Sequence, residues 1–276
     1  MVNCKIQNSG YKVLALDVDG TLARNDRTIS ELTQQTLLKA QQQGIRIVIA
    51  SGRPAFGIKP IADLLHLDEY GGFILSYNGG EIWDWKEGKR IYSKPLPDEA
   101  IPVIYSNCRE NGLDVMTYCG ENIVTESADN KYIRLSSLRN KMQIRKVASF
   151  PDDIDRPVFK CMIVGEPDTL SQFEPLLNEK LTGVAVAFRS EPFYLEVVPE
   201  GIDKATCLQY LLHHLNVDRN ALIACGDGYN DISMIKYAGL GVAMGNANEQ
   251  VKQSADYITL SNEADGVACL IRKVIL

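Results

Sequence analysis

The sequence predicts an α/β protein: a parallel sheet with helices on both faces, interrupted by an inserted α+β segment. Three observations carry this. Short apolar runs alternate with helical patterns at both ends of the chain, the runs are apolar throughout, and the middle of the chain changes texture. Strands apolar at every position, and not only at alternate ones, are buried on both faces, which only a helix-covered parallel sheet provides.

The elements follow in order. KVLAL is the first strand, and SELTQQTLLKAQQQG is a helix with Ser30 as N-cap and Gly44 as its stop. IRIVIA is the next strand, RPAFGIKPIADLLHL a helix, and GFILS a third strand. The pattern returns with DKATCLQYLLHHL as a helix, ALIAC as a strand, NDISMIKYA as a helix and GLGVAM as a strand. DYITL then reads as an edge strand and ADGVACLIRKVI as a closing helix. Between them, GLDVMTYC, ENIVTES, PVFKCMIVG and VAVAFRS have strand character. PDEAIPVIYSNCREN and EPDTLSQFEPLLNEKL are helix-like, each with an internal Pro. The expected division is residues 1–83 and 192–276 as one core domain, and residues 84–191 as an inserted domain with an antiparallel sheet.

Composition narrows the function. The chain has 276 residues, 45% of them hydrophobic and 23% charged, enough to bury a substantial core. A net charge of −6 argues against a nucleic-acid surface, which carries a basic excess. No apolar run reaches a membrane span, and MVNCKIQNSGYK lacks a signal-peptide core, so no membrane partner and a cytoplasmic location are expected. The cysteines, Cys4, Cys108, Cys119, Cys161, Cys207, Cys225 and Cys269, show no metal spacing or disulfide framework and read as reduced packing residues. Histidines number three, with His213 and His214 adjacent inside a helical pattern, which argues against a histidine-based zinc site or triad.

In an open α/β sheet, ligands bind beyond the carboxyl ends of the strands, where loops and helix N-termini converge. KVLAL ends on Asp17 and Asp19, IRIVIA on Ser51, Gly52 and Arg53, and ALIAC on Gly226, Asp227, Gly228, Asn230 and Asp231; Lys204 starts a helix near the same edge. Each group has a structural reading alone: Asp as a cap or turn former, Ser51 as an N-cap, Lys204 as a solvated helix residue. Their convergence on one edge favours chemistry. DVDGTLARNDRT lacks the Gly and Glu of a calcium loop, with Leu22 and Thr28 in their places, and neither a P-loop nor a GxGxxG occurs. Crowded carboxylates without His or Cys are hard ligands suited to Mg²⁺, whose charge relieves their repulsion. One carboxylate left facing phosphorus can be a nucleophile; a second, two residues on, faces the same way if the backbone stays extended, and can move a proton.

DVDGTL, ASGR, the Lys of GIDKATCL, and GDGYND followed by GVAMGNANEQVKQSADYIT together resemble the haloacid dehalogenase-like superfamily. Within it they resemble the Cof-type sugar-phosphate phosphatases, with the motifs in order along the whole core. The resemblance implies a Rossmann-like core with an inserted cap domain that covers the sheet edge and reads the leaving group. It implies hydrolysis of small phosphorylated metabolites through an aspartyl-phosphate. Asp17 is then the nucleophile and Asp19 the general acid/base. Mg²⁺ is held by Asp17, the Asp19 backbone carbonyl and Asp227, with Asn230 and Asp231 in support. Ser51 and Lys204 hold phosphoryl oxygens, and Gly20, Thr21 and Gly52 belong to the phosphate-binding loops. Asn78 in SYNGG and Asn246 in MGNA match supporting positions, and Ala205 departs from the Gly common in relatives without removing a ligand. A phosphomutase with the same covalent chemistry, a receiver-type phospho-acceptor module and a non-catalytic binding protein are the alternatives; oligomeric state stays open.

Overall fold

The computed structural model describes residues 10–276. The first part of the chain runs β1 (Val13–Leu16), α1 (Glu31–Gln42), β2 (Arg46–Ala50), α2 (Ala55–Leu64), β3 (Phe73–Ser76), β4 (Glu81–Asp84) and β5 (Lys89–Ser93). The middle holds α3 (Ala100–Glu110), β6 (Asp114–Cys119), β7 (Asn122–Thr125), α4 (Lys131–Asn140), β8 (Gln143–Lys146), β9 (Cys161–Val164), α5 (Pro167–Lys180), β10 (Ala185–Glu191) and β11 (Tyr194–Pro199). The last part holds α6 (Lys204–His214), β12 (Leu222–Gly226), α7 (Ile232–Tyr237), β13 (Leu240–Ala243), α8 (Glu249–Gln253), β14 (Tyr257–Ile258) and α9 (Gly266–Val274).

The first and last parts share one sheet, in the order β14-β13-β12-β1-β2-β3-β4-β5. From β14 to β3 every pairing is parallel, and β4 joins antiparallel to β3. Alternate strand residues divide between two helix layers. Leu14, Leu16, Ile47, Ile49 and Ile74 pack with Leu37, Ile58, Leu270 and Ile271 from α1, α2 and α9. Val13, Ala15, Val48, Ala50 and Leu75 pack with Leu208, Leu211 and Met234 from α6 and α7. Burying each Leu or Ile contributes roughly 2 kcal/mol, so both faces of the central strands bear on stability. The Ser30 hydroxyl accepts from the Thr33 N–H at 3.0 Å, capping α1 as the sequence predicts, and Gly44 follows the helix end at φ +89°.

Two compact units result, one running to Tyr92 and resuming at Asp203, the other Ser93–Ile202. The expected boundaries at 83/84 and 191/192 are therefore corrected. Lys89–Ser93 extends the core sheet beyond β4, whereas Tyr194–Pro199 pairs antiparallel with both β10 and β9 and so belongs to the insertion. The sequence reading named no strand at 194–199, and its pairing partner is a long-range choice that local pattern does not record.

The inserted unit is a six-stranded sheet, β10-β11-β9-β6-β7-β8. It is not wholly antiparallel: β8, which the sequence reading did not foresee, adds parallel to β7 after the intervening helix α4. One face packs Val115, Ile163, Leu195 and Val197 against Ile104, Leu170 and Phe173 from α3 and α5. Cys108, Cys119, Cys161, Cys207, Cys225 and Cys269 are free thiols, as expected; Cys4 lies outside the described residues. Among the described residues, no helix is long and apolar enough to cross a membrane.

Candidate active site

β1 stops at Leu16 because the chain turns. Thr21 N–H donates to Val18 O, Leu22 N–H to Asp17 O and Ala23 N–H to Val18 O, a tight coil closed through Gly20 at φ +84°. Within that turn the paired carboxylates meet different partners. Asp17 is buried beside β12, its N–H on Cys225 O at 3.0 Å, whereas the Asp19 side chain is 55% exposed. The expectation that both face one way assumed extended backbone, and here the chain turns directly after Asp17. Asp19 is instead gripped by Arg53, whose Nε and Nη2 donate to its two oxygens at 2.9 and 2.5 Å. Arg53 carried no role in the sequence reading, although its place beside Ser51 in ASGR was the available signal.

Lys204 is fully buried at the first turn of α6, behind the Asp203 N-cap, whose carboxylate accepts from Thr206 N–H at 2.7 Å. A cation at a helix N-terminus is disfavoured by the backbone dipole. Two carboxylates overcome this: Nζ lies 2.6 Å from Asp17 Oδ1 and 2.6 Å from Asp231 Oδ1. Burial by itself would lower the lysine pKa, but Asp17 and Asp231 hold it above its ordinary value. The solvated-residue reading of Lys204 is excluded.

Asp231 does more than the supporting role expected of it. Its Oδ2 accepts from the N–H groups of Asp227 and Gly228 at 3.0 and 2.9 Å, folding GDGYND back on itself. Gly226 is required there, since a Cβ would sit 2.4 Å from Asp231 Cβ. Asp227 accepts from Thr21 Oγ1 at 2.7 Å, and a Cβ on Gly20 would lie 2.2 Å from Asp227 Oδ2. The two carboxylate-bearing loops thus touch through a glycine, and Thr21, expected at phosphate, is here the link between them.

The remaining predicted residues gather around this centre. Ser51 is buried at the end of β2, its N–H on Leu75 O at 2.9 Å and its Oγ accepting from Arg53 N–H at 3.2 Å. It does not cap α2, which starts after Pro54. Asn78, at φ +57°, donates its N–H to Ser51 O at 3.0 Å and accepts from Asn230 Nδ2 at 3.0 Å, joining the β2, β3 and β12 loops. Gly52 leaves room for the Asn78 amide, which a Cβ would approach to 3.2 Å. Asn246 Nδ2 donates to Gly20 O at 2.8 Å.

Charge in the centre is unbalanced. Carboxylate oxygens of Asp17, Asp227 and Asp231 lie within 4.8 Å of one another, with Lys204 as their buried cation. Burial, then the Asp231 charge, push the Asp17 carboxyl well above its ordinary range despite Lys204. Burial raises Asp227 to about 6, against the lowering hydrogen bond from Thr21. Asp231 spends both oxygens on Lys204 and backbone N–H groups, while one oxygen each of Asp17 and Asp227 has no hydrogen bond among the described residues. A hard divalent cation fits this donor set, with Asp17 and Asp227 as ligands and Asp231 orienting the loop that carries Asp227. The Asp19 carboxylate is outside the cluster, so a metal role for Asp19 rests on its backbone carbonyl.

The chain is similar to known proteins over nearly its whole length. A family model described as haloacid dehalogenase-like hydrolase matches residues 14–271. The chain is 32% identical over 268 residues to the 5-amino-6-(5-phospho-D-ribitylamino)uracil phosphatase YcsE of Bacillus subtilis, covering 96% of each. Among solved structures, a haloacid dehalogenase-like hydrolase from Bacteroides thetaiotaomicron aligns at TM-score 0.93 with 50% identity, covering 96% of this chain and all 100% of that one. BT1666 from the same organism, described among phosphatases of that superfamily, aligns at TM-score 0.82 with 28% identity, over 96% of this chain and 95% of its own.

Proposed function

Because the chain belongs to the haloacid dehalogenase-like hydrolases and is a phosphatase of that family, we propose that it hydrolyses small sugar phosphates with Mg²⁺ through an aspartyl-phosphate on Asp17. The observation that carries this is the buried Asp17 carboxylate at the end of β1, with Lys204 Nζ 2.6 Å away and Asp227 in the same cluster.

An Asp17 oxygen attacks phosphorus, forming the acyl-phosphate bond as the ester P–O bond breaks. Asp19 gives a proton to the departing alkoxide and later takes one from the water that hydrolyses the acyl phosphate. For this Asp19 exchanges part of its Arg53 contact for substrate. Lys204, Ser51 and the Gly52 backbone hold the phosphoryl oxygens, where charge spreads in the transition state. Bound at Asp17, Asp227 and the Asp19 carbonyl, Mg²⁺ supplies Lewis-acid stabilisation of the transferring group.

Phosphate release across sugar, sugar-alcohol, nucleotide and cofactor phosphates tests the reading. Release confined to sugar or sugar-alcohol phosphates and abolished by chelator supports it. Activity that survives complete metal removal overturns the metal assignment, and isomerised sugar phosphate without free phosphate moves the protein to the mutases.

Metal binding also has a pH signature. With a folded value of about 6 against an ordinary 3.8, Asp227 favours the fold when protonated. That contribution is complete below about pH 3.8 and lost as pH rises through about 6, so the ionised carboxylate costs roughly 3 kcal/mol at neutral pH. A bound cation offsets this cost. The Mg²⁺-induced rise in Tm is therefore expected to be larger at pH 7.5 than at pH 5, and an equal shift at both would contradict the assignment.

A further inference from the structure

The turn carrying Asp19, Gly20 and Thr21 is held from outside by a side chain to which the mechanism assigns nothing. Asn246 Nδ2 donates to Gly20 O at 2.8 Å, and its Oδ1 accepts from Asn262 N–H at 3.0 Å. One partner is an acceptor and the other a donor, so the amide has a single satisfying orientation. Asn262 in turn donates its side-chain amide to Ala23 O at 3.0 Å, gripping the far end of the same turn. The segment bearing Asn246 is anchored to the opposing loop as well: Met244 N–H donates to Gly226 O at 3.0 Å, one residue before Asp227.

Gly20 is thereby wedged. Its Cα lies against the Asp227 carboxylate on one side, with no room for a Cβ, and its carbonyl is held by Asn246 on the other. We propose that Asn246 is a positioning residue, a strut that sets the Asp19–Thr21 turn at a fixed height over Asp227 and so aligns the acid/base and metal-binding loops. This rests on the phosphatase reading above. Asn246 is exposed, so a role in global stability is small, whereas a displacement of about 1 Å at reacting groups costs up to about 10²-fold in rate.

The test compares Asn246→Ala and Asn246→Asp with the unaltered protein. Asp keeps the acceptor toward Asn262 but turns a second, charged acceptor on Gly20 O, whereas Ala removes the same link without adding a charge near Asp227. Both variants are expected to lower kcat by about tenfold with KM within about twofold, unchanged Tm, and faster hydrogen exchange at the Thr21, Leu22 and Ala23 amides. A raised KM with kcat intact would make Asn246 a substrate contact and overturn the strut. So would a fall in Tm parallel to activity, full activity in Asn246→Asp, or unchanged exchange in the turn. If the unaltered protein releases no phosphate from any ester, the functional reading fails separately, and exchange in the turn still decides the strut.

Discussion

Asp17→Asn is expected to slow phosphate release by about 10⁴-fold or more while leaving the protein folded. An amide nitrogen and a neutral carbonyl replace the attacking carboxylate, and no nearby group substitutes: Asp231 is committed to Lys204 and two backbone N–H groups, and Asp19 lies outside the cluster on Arg53. Folding should not suffer. Burial and the Asp231 charge already disfavour an ionised Asp17, so neutralising it removes repulsion, and Lys204 keeps Asp231 as its counter-ion at 2.6 Å. Steady-state phosphate release with a thermal melt checks both halves. Wild-type turnover in the variant would remove Asp17 as nucleophile, and a collapsed melt would show that its charge is structural.

Lys204→Met is expected to cost about 3–5 kcal/mol in stability near neutral pH, lowering Tm by roughly 10 °C, and to abolish activity. Methionine fills the volume but leaves Asp17 and Asp231 buried and facing each other without a cation. In the native protein Lys204 is held above its ordinary pKa of 10.5, so its contribution is complete below about that pH and lost only in strong alkali. The deficit in the variant should therefore follow the carboxylates: large at pH 7.5, smaller as acid protonates them. Adding Asp17→Asn to Lys204→Met should restore part of the stability, since the two changes share one interaction. A pH-independent deficit, or strict additivity in the double variant, would show that lost packing and not unpaired charge dominates.

Much of the core was legible because it depends on local pattern. Apolar runs such as IRIVIA and ALIAC, bounded by turn signals, read as strands buried on both faces, and helices such as α1 declare their caps. Once the strands are known, topology puts their carboxyl ends on one edge. Asp17, Ser51 and Asp227 could therefore be named before any contact was seen. The boundaries were misplaced where partner choice mattered: YLEVVP suits either sheet by its own pattern, and only its ladders with β9 and β10 place it in the insertion.

The sequence by itself determined which residue types meet at the sheet edge and what chemistry they support, because burial pattern and motif order are local and linear properties. Tertiary structure alone decided how those groups are used there. It set Asp19 on Arg53, buried Lys204 between two carboxylates, drew Asp231 into the cluster and set Asn246 against Gly20. Beyond the last residue of a strand, a side chain's direction follows from turn dihedrals and from partners far away in the chain, and no periodicity in the sequence records either.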